Sequence, residues 1–417
     1  MDIIRIATAG SVDDGKSTLI GRLLYETRSL KQDQLDYIRA VSHRRGSNTL
    51  DLSLATDGLS SEREQGITID VSHIYLTTKT RRYIITDSPG HEEYTRNMIT
   101  ASSKADVILI LLDATKGLSQ QTRRHLRIAH TLQIPELIIC INKMDLISYS
   151  KLAFDELVLS FKEVNQYFQS TPTRIHFLPI SALTGDNISS RSDHMHWFEG
   201  SPLLQTLESI QIPLHRFEEP FFQVQYVWNG KAGKQKTNKR WLFGKLNNGT
   251  LFVGDEVYIR QGQARTRIAK ILQYGNSLPS LSQNENGTLL LEDEIDVSRG
   301  IWIYKKEIEY TPVEEVLTET CWMDSTPLNP GKKYWIQMGS KSLMGKVKEI
   351  KYKIDLYSTQ QLPAESVGLN DLAVVTWTLS EPVHVRPYQR KRSGSEFIVI
   401  DPLTLNTSGV SLIQKQK

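Results

Sequence analysis

The segment "GSVDDGKST", residues 10–18, has the spacing G-x-x-x-x-G-K-[ST] of a phosphate-binding loop. In such a loop the backbone N–H groups surround phosphate oxygens, the lysine reaches the terminal phosphates and the next hydroxyl binds Mg²⁺. An apolar run precedes the loop and a helical pattern starts at Lys16, so a helix N-terminus adds to the attraction for anions. The predicted phosphate-binding residues are Gly10, Ser11, Val12, Asp13, Asp14, Gly15, Lys16, Ser17 and Thr18.

A second motif, "ITDSPGHEEY", places Asp87 at the end of an apolar strand, and Ser88, Pro89, Gly90 and His91 follow it. Downstream of a phosphate loop, an aspartate at this point is typical of a nucleoside triphosphatase and holds Mg²⁺, usually through water. The backbone N–H of Gly90 can reach a γ-phosphate. His91 is predicted to orient the attacking water, and the alternative is a surface histidine at a helix N-terminus.

A polar segment leads from about residue 43 into "REQGITID", which contains Thr68. The hydroxyl of Thr68 could bind Mg²⁺ while its N–H binds the γ-phosphate, so that the segment is ordered only with a triphosphate bound. The alternative is an ordinary threonine at the start of a strand. With this residue, the predicted metal ligands are Ser17, Thr68 and Asp87.

The base is predicted to be read by two further segments, "CINKMDL" and "PISALTGDN". The carboxylate of Asp145 can accept two N–H groups from guanine, whereas adenine would leave it unpaired at a cost of a few kcal/mol. Lys143 can lay its stem along the purine, and a backbone N–H of the second segment can meet guanine O6. The predicted nucleotide is therefore GTP, read by Asn142, Lys143, Met144, Asp145, Ser181, Ala182 and Leu183.

Short apolar runs alternate with helix-period stretches up to about residue 210, as in a parallel sheet covered by helices. Each motif directly follows one of these runs, and open α/β sheets bind ligands at the carboxyl ends of their strands. Further on, brief strands separated by turn signals such as "NNG" and "NPGKK" indicate an all-β region, with enough chain for two barrels or sandwiches. The sequence predicts an α/β P-loop GTPase domain at residues 1–213, followed by two all-β domains at residues 214–311 and 312–417.

The composition is that of an ordinary globular protein, with 417 residues, 39% hydrophobic and 23% charged. A net charge of +3 does not argue for a nucleic acid or membrane partner. The longest apolar stretches, such as "DVILILLDA", are much shorter than the roughly 20 residues that cross a bilayer, and no signal peptide is evident. Two cysteines far apart in the chain suggest a reducing compartment, so the expected location is the cytoplasm.

Several longer segments carry a family resemblance: "GSVDDGKSTLIGRLLYET", "DGLSSEREQGITIDVSHIY", "DSPGHEEYTRNMITASSKAD", "NKMDL" and "ISALTGDN". They resemble the GTPase large subunit of bacterial sulfate adenylyltransferase, a relative of the translational elongation factors. The likeness continues past residue 213, in "LEDEIDVSRG" and "GLNDLAVVTWTLSEP". It implies that the α/β P-loop GTPase domain is followed by two all-β barrel domains.

The resemblance implies a heterodimer, or higher heteromer, with a smaller catalytic subunit that binds ATP and sulfate and forms adenylyl sulfate and pyrophosphate. GTP hydrolysis would drive this step, because a phosphoric–sulfuric anhydride is less stable than the ATP anhydride that is broken. The adenylyl-transfer patterns H-x-G-H and S-G-G-x-D-S do not occur in this chain. A C-terminal adenylyl-sulfate kinase domain, which some family members carry, is not expected.

Two departures from the known patterns stand out. Asp14 takes the place where elongation factors usually have histidine. Residues 231–240 carry five basic side chains and no acid, where the family usually has a strand containing Arg–Gly. This segment is either a solvated basic hairpin or a contact to an acidic face of the partner. The basic residues are Lys231, Lys234, Lys236, Lys239 and Arg240.

Two other kinds of GTPase share the nucleotide motifs. One is an elongation-factor-like carrier that delivers aminoacyl-tRNA, and Asp14 and the likeness beyond residue 213 argue against it. The other is a regulatory GTPase that has lost its catalytic partner. Formation of adenylyl sulfate with and without the smaller subunit separates all three.

Overall fold

The computed structural model describes residues 3–44, 50–56, 72–87, 98–99, 102–166, 173–211, 220–229, 240–247, 249–259, 264–305, 312–339, 341–355, 360–389 and 394–416. The chain divides into two compact units. The first comprises Met1–Pro213 with Asp355–Gln360, and the second comprises Leu214–Ile354 with Gln361–Lys417. Within the described ranges, no helix is both long and apolar enough to cross a membrane.

The first unit is built on a sheet with the strand order β2-β3-β1-β4-β5-β6. The strand β2 is antiparallel to β3, and the other neighbours run parallel. Every residue of β4 and β5 is buried, as expected for strands covered on both faces. The strands are β1 (Ile3–Ala9), β2 (Ser72–Thr77), β3 (Arg82–Asp87), β4 (Val107–Asp113), β5 (Glu136–Asn142) and β6 (Arg174–Pro179).

Helices connect and cover these strands. The first begins after Gly15, and its buried residues Leu19, Ile20, Leu23 and Leu24 form one apolar stripe toward the sheet. The helices are α1 (Lys16–Glu26), α2 (Gln32–Arg44), α3 (Gln120–Thr131), α4 (Lys151–Asn165) and α5 (Leu203–Ser209). Short 3₁₀ turns lie at Leu52–Ala55 and Met144–Ile147. Because five strands are parallel, their carboxyl ends and the loops that follow lie at one edge of the sheet.

The second unit contains two closed antiparallel barrels. In the first barrel, the order β10-β15-β7-β8-β14-β11 is closed by pairing of β10 with β11, while β12 extends β11 and β9 pairs with β13. The alternating inward residues, among them Val224, Leu242 and Ile268, form its core. The strands are β7 (Phe221–Asn229), β8 (Arg240–Leu246), β9 (Thr250–Phe252), β10 (Glu256–Ile259), β11 (Ala264–Gln273), β12 (Asn276–Leu278), β13 (Ser280–Ser282), β14 (Asn286–Leu291) and β15 (Trp302–Tyr304).

In the second barrel, the order β17-β21-β22-β16-β20-β18 is closed by pairing of β17 with β18, and β19 extends β18. Fully buried aromatic rings fill its core, with Trp377 and Phe397 edge to face at 5.9 Å between centroids. The strands are β16 (Val313–Trp322), β17 (Lys333–Met338), β18 (Lys341–Ile354), β19 (Gln361–Leu362), β20 (Leu372–Val383), β21 (Glu396–Ile400) and β22 (Thr407–Gln416). The predicted order of an α/β domain followed by two β-barrels is confirmed.

The two barrels share an aromatic contact around Arg386. This residue follows β20 of the second barrel and is 4% exposed. Its guanidinium carbon lies 5.5 Å from the ring centroid of Phe221, 5.6 Å from that of Trp302 and 5.9 Å from that of Tyr304, all in the first barrel. A cation against three aromatic faces stabilises this junction by cation–π attraction and by packing.

Candidate nucleotide site

The predicted phosphate loop joins β1 to α1 through a backbone path that ordinary residues rarely adopt. Gly10, Asp13 and Gly15 have φ angles of 149°, 68° and 92°. A Cβ on Gly15 would lie 2.4 Å from Nδ2 of Asn142, so glycine is required there by space as well as by conformation. The loop therefore reverses tightly into the N-terminus of α1, where backbone N–H groups attract anions.

Lys16 folds back across its own loop and is 7% exposed. Its Nζ donates hydrogen bonds to the carbonyl oxygens of Gly10, at 3.0 Å, and Ser11, at 2.8 Å. Burial lowers the pKa of Lys16, and the nearby carboxylates of Asp87 and Asp14 oppose that shift. Because its hydrogen-bond acceptors here are neutral carbonyls, the ammonium can exchange them for phosphate oxygens.

Asp87 ends β3 and is 1% exposed. The hydroxyl of Thr8, on the neighbouring strand β1, donates to Oδ1 of Asp87 at 2.6 Å. Ala7 of β1 pairs with Thr86 of β3, so Thr8 and Asp87 are the residues that follow this pair on the two strands. This hydrogen bond orients the carboxylate at the sheet edge where the phosphate loop begins.

Asn142 connects three loops through its buried side-chain amide. Its Nδ2 donates to the backbone oxygen of Asp14 at 2.8 Å, and its Oδ1 accepts the N–H of Ala182 at 2.9 Å. The amide thus holds the phosphate loop and the segment after β6 at fixed distances from the end of β5. The motif predicts a base-reading role for Asn142, and the structure adds this linking contact.

The side chain of Asp145 has a buried oxygen, Oδ1, that finds no hydrogen-bond donor among the described residues. An unpaired buried carboxylate oxygen is costly, so a ligand N–H at this position would be bound favourably. Asp145 lies in the 3₁₀ turn directly after Lys143, whose backbone has a φ of 63°.

Lys143 is held by Asp113, which lies outside the predicted motifs. Its Nζ binds Oδ2 of Asp113, the last residue of β4, at 2.7 Å. Burial alone would raise the pKa of Asp113, but hydrogen bonds from Lys143 and Thr115 outweigh it and lower that pKa. The sequence does carry a signal for Asp113, because it is an aspartate at the end of an apolar strand, as Asp87 is.

The segment Ser181–Leu183 is positioned by Arg22 of α1. Arg22 Nε donates to the carbonyl oxygen of Ala182 at 3.1 Å, and Nη2 contacts that of Leu183. The N–H of Ala182 donates to Asn142 here, so its contact with guanine O6 stays a prediction. Arg22 and Thr8 carry no recognisable motif, because their partners are remote in the chain.

Asp14 is buried within the phosphate loop, at 4% exposed. Its Oδ2 accepts the backbone N–H of Ser11 at 2.6 Å. Burial raises the pKa of Asp14, partly offset by that hydrogen bond and by the charge of Lys16. A carboxylate is thus built into the loop that is predicted to bind phosphates.

Some predicted residues lie outside the described part of the chain: Thr68, Ser88, Pro89, Gly90, His91 and residues 231–239 of the basic segment. The two described candidate Mg²⁺ ligands, Ser17 and Asp87, offer hydroxyl and carboxylate oxygens, which Mg²⁺ prefers. Ser17 lies in the first turn of α1 and Asp87 at the end of β3. The chemistry of these oxygens fits the ion.

Two family models match this chain. Residues 1–213 match the elongation factor Tu GTP binding domain. Residues 315–414 match the model described as GTP-eEF1A C-terminal domain-like. This chain therefore carries a GTP-binding domain of the elongation factor Tu type, as the nucleotide motifs predicted.

The chain is also similar over nearly its whole length to curated proteins. Sulfate adenylyltransferase subunit 1 of Aliivibrio salmonicida (strain LFI1238) is 39% identical over 415 residues, 99% of this chain and 86% of that protein. The subunit 1 of Vibrio atlanticus (strain LGP32) is 40% identical with the same coverage. Among solved structures, the Saccharomyces cerevisiae Ski7 GTPase-like domain, bound to GDP and inorganic phosphate, matches with a TM-score of 0.53. It is 18% identical, with 99% of this chain and 97% of that chain covered, and shows the shared fold.

Proposed function

This chain belongs to the sulfate adenylyltransferase subunit 1 family, and from that membership we propose that it is the GTP-hydrolysing subunit of a heteromeric sulfate adenylyltransferase. The observation that carries the proposal is the extent of the likeness, which covers 99% of the chain rather than the GTP-binding domain alone. An aminoacyl-tRNA carrier would share the nucleotide motifs but is not favoured by that extent.

Asp145 and its neighbours are the proposed guanine-binding residues. The buried, unpaired Oδ1 of Asp145 supports this role, because guanine supplies N–H donors and adenine lacks the matching pair. The amide of Asn142 keeps the base segment and the phosphate loop together through its bond to the Asp14 carbonyl. Lys143, held by Asp113, flanks the same pocket.

The proposed phosphate-binding residues are those of the loop from Gly10 to Thr18. Lys16 exchanges its two carbonyl acceptors for phosphate oxygens, and the first backbone N–H groups of α1 bind the same anion. Ser17, Thr68 and Asp87 are the proposed Mg²⁺ ligands, the last held in orientation by Thr8. When bound, Mg²⁺ neutralises charge on the β- and γ-phosphates.

Hydrolysis is proposed to use His91 to orient the attacking water, as glutamine does in other GTPases. Thr68 then senses the γ-phosphate, so that its segment changes state when that phosphate leaves. Such a switch couples two nucleotide sites by free energy, which the uphill formation of a phosphoric–sulfuric anhydride requires. The adenylyl transfer itself is proposed to occur on a smaller partner subunit that binds ATP and sulfate.

The domain boundaries are proposed as 1–213 for the GTP-binding domain, 214–311 for the first barrel and 312–417 for the second. The described barrel strands support this division, since β15 ends at Tyr304 and β16 begins at Val313. For the basic segment at residues 231–240, the two proposed roles are a solvated hairpin and a contact with the partner subunit. Arg240, at its end, forms an ion pair with Asp296 in the first barrel.

The proposal is tested by reconstitution. The chain is mixed with the smaller subunit from the same genome, ATP and sulfate, and adenylyl sulfate is measured with GTP or with a non-hydrolysable GTP analogue. With GTP, we expect the amount of adenylyl sulfate to exceed the equilibrium amount that forms without GTP. With the non-hydrolysable analogue, we expect no such excess. Lys16→Ala should abolish the GTP effect but not the basal reaction of the smaller subunit.

GTP hydrolysis that is unaffected by the smaller subunit, ATP and sulfate would refute the proposal. GTP-dependent retention of aminoacyl-tRNA, with no stimulation of adenylyl sulfate formation, would instead identify a carrier. GTP hydrolysis with neither stimulation of adenylyl sulfate formation nor retention of aminoacyl-tRNA would indicate a regulatory GTPase.

A further inference from the structure

Asp14 combines two properties that a phosphate loop does not need together. Its Oδ2 accepts the backbone N–H of Ser11 at 2.6 Å, which closes the loop on itself. The same side chain also places a negative charge inside the loop, because Asp14 is only 4% exposed. The first property requires only an acceptor oxygen, whereas the second adds negative charge beside the site where phosphates bind.

The charges around this carboxylate are unequal. Lys16 attracts it, but Lys16 is also the cation that the phosphates need. Asp113, at the end of β4, repels it, and Lys116 attracts it more weakly than Lys16 does. Asp87 and Asp13 compete for the same Lys16 ammonium. A triphosphate therefore enters a site whose buried Lys16 already feels the charge of three carboxylates.

The position of Asp14 is well defined by other contacts. Its backbone oxygen accepts a hydrogen bond from Nδ2 of Asn142 at 2.8 Å, and its Oδ2 accepts the Ser11 N–H at 2.6 Å. A rotation of the carboxylate into solvent would break the hydrogen bond to Ser11. The buried position therefore keeps the negative charge inside the loop.

We propose that Asp14 sets the nucleotide affinity of this loop: its oxygen shapes the loop through Ser11, and its charge weakens the hold on phosphates and speeds nucleotide release. This inference rests on the proposed GTPase function. In a subunit that must hydrolyse GTP repeatedly to drive synthesis, fast release of GDP keeps the site available. The charge acts at short range in a water-poor site, where Coulomb repulsion is strong.

Asparagine separates the two properties, because it keeps an acceptor oxygen for Ser11 and removes the charge. The experiment measures dissociation of a fluorescent GDP by stopped flow, with Mg²⁺ and excess unlabelled GDP, on the isolated full chain. We expect Asp14→Asn to slow GDP release by about tenfold and to tighten equilibrium binding to match. Asp14→Ala should bind more weakly than Asp14→Asn, since the Ser11 contact is also lost.

The matched control is Asp33→Asn, which removes the same charge from an exposed position in the first turn of α2. Its GDP release should stay within twofold of the original chain. Should Asp14→Asn fail to fold, Asp14→His at pH 8 gives a neutral side chain that elongation factors usually carry at this position. Circular dichroism of each variant reports the fold before any rate is compared.

Release from Asp14→Asn that is as fast as, or faster than, release from the original chain would overturn the inference. That outcome leaves the proposed function intact, because adenylyl sulfate formation is measured separately. Failure of the original chain to bind guanine nucleotides at all would refute the proposed function instead. Equal slowing in Asp33→Asn would assign the effect to overall charge and also overturn the role of Asp14.

Discussion

The hydroxyl of Thr8 donates to Oδ1 of Asp87 at 2.6 Å, across the neighbouring strands β1 and β3. Both residues are buried, with Thr8 at 0% and Asp87 at 1% exposed. A short hydrogen bond to a buried carboxylate restrains its rotation, so Thr8 is a positioning residue for the proposed Mg²⁺ ligand.

Thr8→Val removes the hydroxyl while nearly keeping the side-chain volume. The loss of one hydrogen bond to a charged group costs about 1.5–3 kcal/mol. We expect the Asp87 carboxylate to be less firmly oriented as a result. The Mg²⁺ concentration for half-maximal GTP hydrolysis should rise about tenfold, as measured by phosphate release during Mg²⁺ titration. Thr8→Ser retains the hydroxyl and should behave like the original chain. The same Mg²⁺ dependence in Thr8→Val would rule out the positioning role.

Asp145→Asn should change which purine is bound. Asparagine no longer accepts both N–H groups of guanine, but its Nδ2 can donate to the carbonyl that xanthine carries at C2. GTP affinity should fall about 100-fold, equivalent to ~3 kcal/mol, and XTP should replace GTP in stimulating adenylyl sulfate formation. Competition with a fluorescent guanine nucleotide measures the first effect. Tight GTP binding in the variant would assign base reading to another residue.

His91 is outside the described residues, and its role rests on the sequence alone. His91→Ala should slow GTP turnover by about 100-fold or more, whereas the GTP dissociation constant should change little. His91→Gln can still orient water by its side-chain amide and should retain an intermediate rate. Single-turnover hydrolysis with prebound GTP distinguishes the chemical step from binding. Unchanged turnover in His91→Ala would contradict the catalytic role.

Arg386 should contribute to the stability of the paired barrels. Arg386→Leu removes the cation that lies between 5.5 and 5.9 Å from three ring centroids, and we expect a loss of about 2 kcal/mol in the free energy of unfolding. Urea denaturation followed by tryptophan fluorescence measures this loss, since Trp302 lies in the first barrel and Trp377 in the second. Arg265→Leu, which breaks an exposed ion pair with Glu256, should cost less than about 1 kcal/mol. Equal effects of the two substitutions would argue against the aromatic contact.

His125 should make the first unit sensitive to acid. It is fully buried in α3, and burial lowers its pKa from 6.5 to about 3. Between these values the unfolded chain binds a proton that the folded chain does not, so stability falls as the pH drops below 6.5. From pH 7.5 to pH 5.0, the loss from this group is about 2 kcal/mol.

His125→Gln has no titrating group but can still bond to Gln121, which lies 3.0 Å from His125 Nε2. Denaturant unfolding at the two pH values should therefore show a smaller difference for the variant than for the original chain. His176→Gln, at a partly exposed position, is the comparison that tests whether the effect belongs to the buried ring. An identical pH dependence in His125→Gln would show that acid sensitivity comes from other groups.

Local patterns in the chain were enough to predict the fold class and the position of each motif on it. Short spacings carry this information: the loop from Gly10 to Ser17, an aspartate at the end of an apolar run, and alternating strands after residue 213. The helix α2 was not predicted. Ile38 is its one buried apolar residue, so the hydrophobic periodicity of this segment is weak.

The tertiary structure decides which remote side chains meet. Asn142 bonds to Asp14 across 128 positions and to Ala182 across 40, and Thr8 reaches Asp87 across 79. No local spacing encodes such pairs, because they form only when parallel strands bring their carboxyl ends to one sheet edge. The same holds for Asp14: the chain reveals an aspartate in a phosphate loop, but only folding buries it against Ser11 and Lys16, and burial makes its charge matter.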